Sequence, residues 1–186
     1  MNQPSLDPFD VLGLPARFDL TVDQIQRAYL ARARRLHPDL AEGGESADAA
    51  AQAGTAELNR AVRVLRDAES RAGALLARLG GPAKEADKSL PAGFLASMLE
   101  TRMEIEAARE DPAARAGWEA WAREQRAGYA ARCGELFGAL DDPGGETGRR
   151  EIRQTLNAWR YIERLIEQLD PAYDPARADF GTEPRA

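Results

Sequence analysis

Pro38 constrains this chain more than any other residue, because it closes a helix whose start is also written in the sequence. Thr21-Val22-Asp23-Gln24 supplies a capping hydroxyl and, three residues on, a Gln that can reach back to the cap, so a helix is expected from about Val22. Pro38 lacks an N–H and disfavours helical geometry at His37, so the helix is expected to end at Leu36 and the chain to turn outward. Within it Ile25, Tyr29 and Leu36 fall near one side, flanked by Ala28 and Ala33, which leaves Arg27 and Arg34 facing water and Arg35 at the margin. Arg32 projects between Ile25 and Tyr29, so its stem should lie over the core while its head reaches water. Cations at a helix C-terminus suit the dipole, and on the helix alone the simple reading is a stabilised, solvated end.

Before this helix, Asp7 to Pro15 has a capping Asp, a Pro suited to a first turn and a closing Gly and Pro, so a short helix fits, with Phe9, Leu12 and Leu14 as its contacts. After Asp39, the stretch Leu40 to Asp48 contains Gly43, Gly44 and Ser46 without periodicity and reads as a mobile loop. From about Ala49 one long helix is expected, antiparallel to the basic one, with Leu58, Ala61, Leu65, Ala68, Ala72, Leu75 and Leu79 on its stripe. Gly80, Gly81 and Pro82 end it. The expected organisation is all-α: a first domain over 1–80, a polar linker over 81–91, a three-helix bundle over 92–170 and a frayed tail over 171–186. Asp111-Pro112 and Asp141-Asp142-Pro143-Gly144-Gly145 separate the three bundle helices.

The middle bundle segment places Trp118, Trp121, Tyr129, Cys133, Leu136, Phe137 and Leu140 on one broad side, and the last keeps Ile152, Leu156, Trp159, Ile162, Ile166 and Leu169 at helical spacing. The first bundle helix has two apolar stripes. Phe94, Met98 and Ile105 form one, and Leu95, Leu99 and Met103 form another about a hundred degrees round. The second stripe either broadens the buried face or offers a patch to a partner, and Tyr161 and Leu165 sit off the main stripe of the last helix in the same way.

Composition narrows the function classes. A net charge of −6 argues against a general nucleic-acid binder. No apolar run approaches membrane-spanning length, and Met1 to Asp10 has no signal-like region, so a cytoplasmic protein without a membrane role is expected. The single Cys133 permits no internal disulfide, and no spacing suggests a metal site or any other cofactor. An enzyme using His37 with Cys133, or scattered acids, is the alternative from a different class; it suffers from having one His and one Cys in separate predicted domains.

A basic helix running into His37-Pro38-Asp39, then a Gly-containing loop and a second amphipathic helix, resembles the J-domain of DnaJ-like co-chaperones, as does the short opening helix ending Leu12-Gly13-Leu14. Arg32 departs from that pattern, where a Leu is usual. With a short linker and a small helical domain following, nearly the whole chain resembles the HscB family of iron-sulfur cluster assembly co-chaperones, also through Leu58-Asn59-Arg60-Ala61, Arg71-Ala72, Leu75-Leu76, Phe94-Leu95 and Leu99-Glu100. The resemblance implies no catalysis by the chain itself. It implies docking on a heat shock protein 70-type chaperone, HscA or DnaK-like, through His37, Pro38 and Asp39, with Arg27, Arg34 and Arg35 steering the approach and the partner's ATPase stimulated. It also implies delivery of an IscU-like cluster scaffold held on Leu95, Ala96, Leu99, Glu100, Arg102 and Tyr161. Ala96 and Met103 depart from the family pattern, making the patch smaller and less acidic. The alternative within this resemblance is a J-domain adaptor for a different client.

Overall fold

The computed structural model describes residues 6–35, 44–108, 111–140 and 145–168, with backbone alone for 44–50. Among the described residues every regular element is an α-helix: α1 (Pro8–Leu12), α2 (Val22–Arg35), α3 (Gly44–Arg66), α4 (Ala68–Arg78), α5 (Phe94–Ala108), α6 (Pro112–Gly138) and α7 (Glu146–Glu167).

Local chemistry sets several of the helix ends. The Asp7 carboxylate accepts from the Phe9 N–H at 2.8 Å with Pro8 in the first turn, and Gly13 closes α1 in the left-handed region at φ 64°. A side chain at Gly13 would also collide with the Arg32 guanidinium, which lies over it. The start of α2 is a reciprocal capping box: Thr21 N–H donates to Gln24 Oε1 at 2.8 Å, and Gln24 N–H donates to Thr21 Oγ1 at 3.2 Å. Asp111 caps α6 through the Ala113 N–H at 2.9 Å.

Two expectations about helix boundaries need correction. Residues 44–48, read as part of a loop, belong to α3, which starts at Gly44; Ala47 and Ala49 to Ala51 favour the helix strongly enough to extend it past the glycine and serine signals. The single long helix of the expectation is two helices, broken at Asp67, whose backbone is extended and whose carboxylate accepts from the Ser70 N–H at 2.8 Å. The break withholds the Leu65 carbonyl from the ordinary helical ladder. Arg71 supplies the missing donor through Nη1, and its Nε donates to the Phe18 carbonyl at 2.8 Å while its guanidinium lies 5.1 Å from the Phe18 ring centre.

The break aims α4 in two directions. Leu75 joins Phe9, Leu12, Leu20, Ile25, Leu58, Ala61 and Leu65 in a first core under α1 to α3. Ala72 and Leu76 instead meet Cys133, Leu136, Ile152, Leu156 and Trp159 of α6 and α7 in a second core. Phe18 and Phe137, stacked at 5.7 Å, touch both. A third cluster holds Ile105 and Leu165 with Met98, Trp118, Trp121 and Tyr161 around them. Arg78 ties α4 back to α1 through Asp7 and Asp10 at 2.7 and 2.9 Å. The stretch after α4 is strapped to α7: Arg153 Nε donates to the Pro82 carbonyl at 2.9 Å, and Asn157 Nδ2 donates to the Asp87 and Ser89 carbonyls at 3.0 and 2.9 Å.

Leu165 differs from its expectation. Read as lying off the main stripe of α7 and available to a surface, it is buried, because α5 covers that side of α7 and Ile105 meets it there.

Candidate functional site: the basic end of α2 and the outward face of α5

The basic helix has the orientation its pattern dictates. Ile25 is buried in the first core, and Tyr29 is half-buried with its hydroxyl 3.2 Å from Asn59 Oδ1 on α3. Arg27, Arg34 and Arg35 are exposed, and Arg32 is half-buried with its head over Gly13, so its stem covers the apolar side as an amphipathic side chain does. Arg27 Nε also donates to the Asp23 carbonyl at 3.3 Å, one turn earlier. Exposed Arg34 and Arg35 in the last turn, with exposed Arg27 two turns earlier, create a positive surface suited to an acidic partner. His37, Pro38 and Asp39, together with Leu36, lie outside the described residues.

The second region is α5. Its inner stripe packs as a bundle helix should, with Ile105 buried and Phe94 and Met98 half-buried. Its outer stripe is uncovered. Leu95, Leu99 and Met103 are 58%, 63% and 66% exposed, the spacing of four placing them in a row along one face. Ala96, Glu100 and Arg102 are exposed beside them. Tyr161 of α7 is half-buried and meets Phe94 edge to face, ring centres 5.4 Å apart and planes at 84°, so the helix that carries the row also carries the contact to Tyr161. Of the two readings of the outer stripe, the exposed patch is the one realised. Met103 belongs to it by exposure as well as by spacing, at a position where the chain departs from the family pattern.

Chemistry elsewhere is quiet. Cys133 is fully buried, and burial, reinforced by nearby Glu69, pushes its thiol up to about 12, so it is not a nucleophile near neutral pH. Glu69 of α4 faces α7 and is pushed up to about 7, mainly by burial; Asp67, Glu163 and Glu167 add to the rise while Arg160, 3.8 Å away, opposes it. Glu163 itself accepts a forked pair of bonds from Arg126 of α6 and one from the Trp159 indole. Among the described residues no group of three or more His, Cys, Asp or Glu is placed to hold a metal ion, and no helix is long and apolar enough to cross a membrane.

The DnaJ domain family model matches residues 7–73, from the cap of α1 into α4. A co-chaperone protein HscB homolog from Bordetella parapertussis is 32% identical over 168 residues, covering 89% of this chain and 95% of the relative. The chain belongs to the HscB co-chaperone family. A Burkholderia mallei HscB homolog is also 32% identical, over 164 residues, covering 87% of this chain and 90% of its own. The fold agrees with solved HscB structures. The crystal structure of human co-chaperone protein HscB matches with a TM-score of 0.73 at 20% identity, covering 90% of this chain and 82% of that one. Chaperone HscB from Vibrio cholerae matches at 0.65 and 23% identity, covering 88% and 95%. The chain is thus an HscB-type co-chaperone of iron-sulfur cluster assembly, partnered with a chaperone of the heat shock protein 70 class, and its family is one of co-chaperones rather than enzymes.

Proposed function

We propose that the chain stimulates the ATPase of an HscA- or DnaK-like chaperone through His37, Pro38 and Asp39, and delivers to it an IscU-like scaffold held on the outer face of α5. On this reading residues 1–80 dock on the chaperone and residues 92–170 hold the scaffold, in the cytoplasm. Arg27, Arg34 and Arg35 steer the encounter with an acidic partner surface. Asp39 offers a charge-assisted hydrogen bond to a cation on the chaperone, favouring the conformation committed to hydrolysis. The scaffold contacts are Leu95, Ala96, Leu99, Glu100, Arg102 and Tyr161.

The observation that carries the scaffold half is the exposed row of Leu95 and Leu99 on an otherwise packed helix. A second reading, a J-domain adaptor for a different client, draws support from Ala96 and Met103, which make the patch differ from the family pattern. Steady-state ATPase rates of the chaperone with this protein, with the scaffold, and with both decide between them. A combined rate above the sum of the separate effects supports delivery, whereas stimulation indifferent to scaffold supports the adaptor. Asp39→Asn should abolish stimulation while leaving the circular dichroism and melting of the protein unchanged; a folded, fully stimulating variant would refute the docking role.

A further inference from the structure

The three sulfur-bearing side chains among the described residues stand in three different environments. Cys133 is fully buried in the second core, so an oxidant in solution does not reach it, and its thiol stays protonated. Met98 is half-buried on the inner stripe of α5, packed against the cluster of Ile105 and Leu165. Met103 is 66% exposed at the end of the row begun by Leu95 and Leu99. Its thioether therefore extends the apolar face available to a partner while remaining open to solvent when that partner is absent.

We propose that Met103 is a redox-sensitive modification site, at which a hydroperoxide converts the thioether to the sulfoxide and so weakens the grip of the α5 face on its partner. This rests on the docking role proposed above. The sulfur lone pair attacks one peroxide oxygen, a sulfur–oxygen bond forms as the oxygen–oxygen bond breaks, and the sulfur is oxidised by two electrons. With hydrogen peroxide the other oxygen leaves as hydroxide, which takes the proton from the new sulfur-bound hydroxyl and departs as water. The side chain that remains is polar and a strong acceptor, and pressing it against an apolar partner surface leaves that acceptor without a donor. Leu95 and Leu99 offer none. Exposure sets the order of reaction, with Met103 ahead of Met98 and of Cys133.

The test uses the full-length protein, hydrogen peroxide and the iron-sulfur scaffold. Trypsin cleaves after Arg102, so Met98 and Met103 fall on different peptides and mass spectrometry reads their oxidation separately. The Met103 peptide should gain one oxygen well before the Met98 peptide, and scaffold affinity measured by calorimetry should fall about fivefold, the effect of losing one contact worth about 1 kcal/mol. Methionine sulfoxide reductases should restore it, and the scaffold affinity of Met103→Leu, whatever its value before treatment, should not change on exposure to peroxide. Equal oxidation of Met98 and Met103, unchanged affinity after complete Met103 oxidation, or a Met103→Leu variant as peroxide-sensitive as the parent would each overturn the inference. Failure of the untreated protein to bind scaffold would remove the docking role and this inference with it, whereas scaffold binding indifferent to peroxide would remove this inference alone.

Discussion

Helices α5 and α7 touch each other through Phe94 and Tyr161, yet they place their apolar side chains oppositely. In α7, Ile152, Leu156, Ala158, Trp159, Ile162 and Leu165 are all buried, because α4, α5 and α6 surround it. In α5 only Ile105 and Ala108 are buried, because α6 and α7 cover one side and nothing described covers the other. Burying a large apolar side chain stabilises a fold by about 1.5 to 3 kcal/mol. Leu95, Leu99 and Met103 make little such contribution to folding. The comparison teaches that an apolar residue belongs to the core only where enough elements converge on it; the same residue types with fewer neighbours form a surface.

The sharpest way to break this comparison is to truncate on both helices. Trp159→Ala should cost about 3 to 5 kcal/mol, read as a large fall in the denaturation midpoint, since it empties the second core and frees the Glu163 bond. A small loss there would mean that α7 is not the central support.

Glu69 sharpens the comparison from the side of α4, since its carboxyl is buried against α7. Unfolded, it releases its proton near 4.5, and folded, near 7. Between those values the folded state holds more protons, so this group's contribution to stability falls as pH rises from about 4.5 to 7 and is constant outside that window. Glu69→Gln should remove a change on the order of 3 kcal/mol, leaving the variant the more stable protein at pH 8. Denaturant titrations of both proteins at pH 5 and pH 8 measure it, and an identical pH dependence would contradict the burial argument.

A smaller effect is expected where α6 is clamped to α7. Arg126→Gln removes the forked bonds to Glu163, whose side chain is mostly buried, and should lower stability by about 1 kcal/mol, less at high salt. At the bottom of the scale, Leu99→Ser on the outer face of α5 should change stability by no more than about 0.5 kcal/mol. The same variant should lose scaffold-dependent ATPase enhancement, and a strong destabilisation would show that this face is covered after all.

Much of the architecture was legible because its causes are local. The Thr21–Gln24 box, the Asp7 cap with Pro8, and Asp111 with Pro112 act within three residues, so the sequence displays both partners. The break at Asp67 was not legible for a physical reason. The apolar rhythm through Leu65, Ala68, Ala72 and Leu75 runs across it unchanged, since a bend alters direction without altering the residue count. What sustains the bend is Arg71 reaching the carbonyls of Leu65 and Phe18, the latter from a loop fifty-three residues away. The start of α3 at Gly44 was missed because glycine and serine weigh heavily in a short window, while helix formation sums over the alanine-rich turns that follow.

By itself the sequence determined the starts of α1, α2 and α6 and which residues are apolar, because capping and helical period are properties of neighbouring residues. It also carried the pattern by which the chain resembles the family, the basic helix leading to His37-Pro38-Asp39, and, separately, the doubled stripe of α5. Only the tertiary structure decided that α4 turns at Asp67 to serve two cores, that Leu165 is buried, and that Leu95, Leu99 and Met103 are not. Burial depends on how many elements meet at a point in space, and that number is set by packing between residues far apart in the chain.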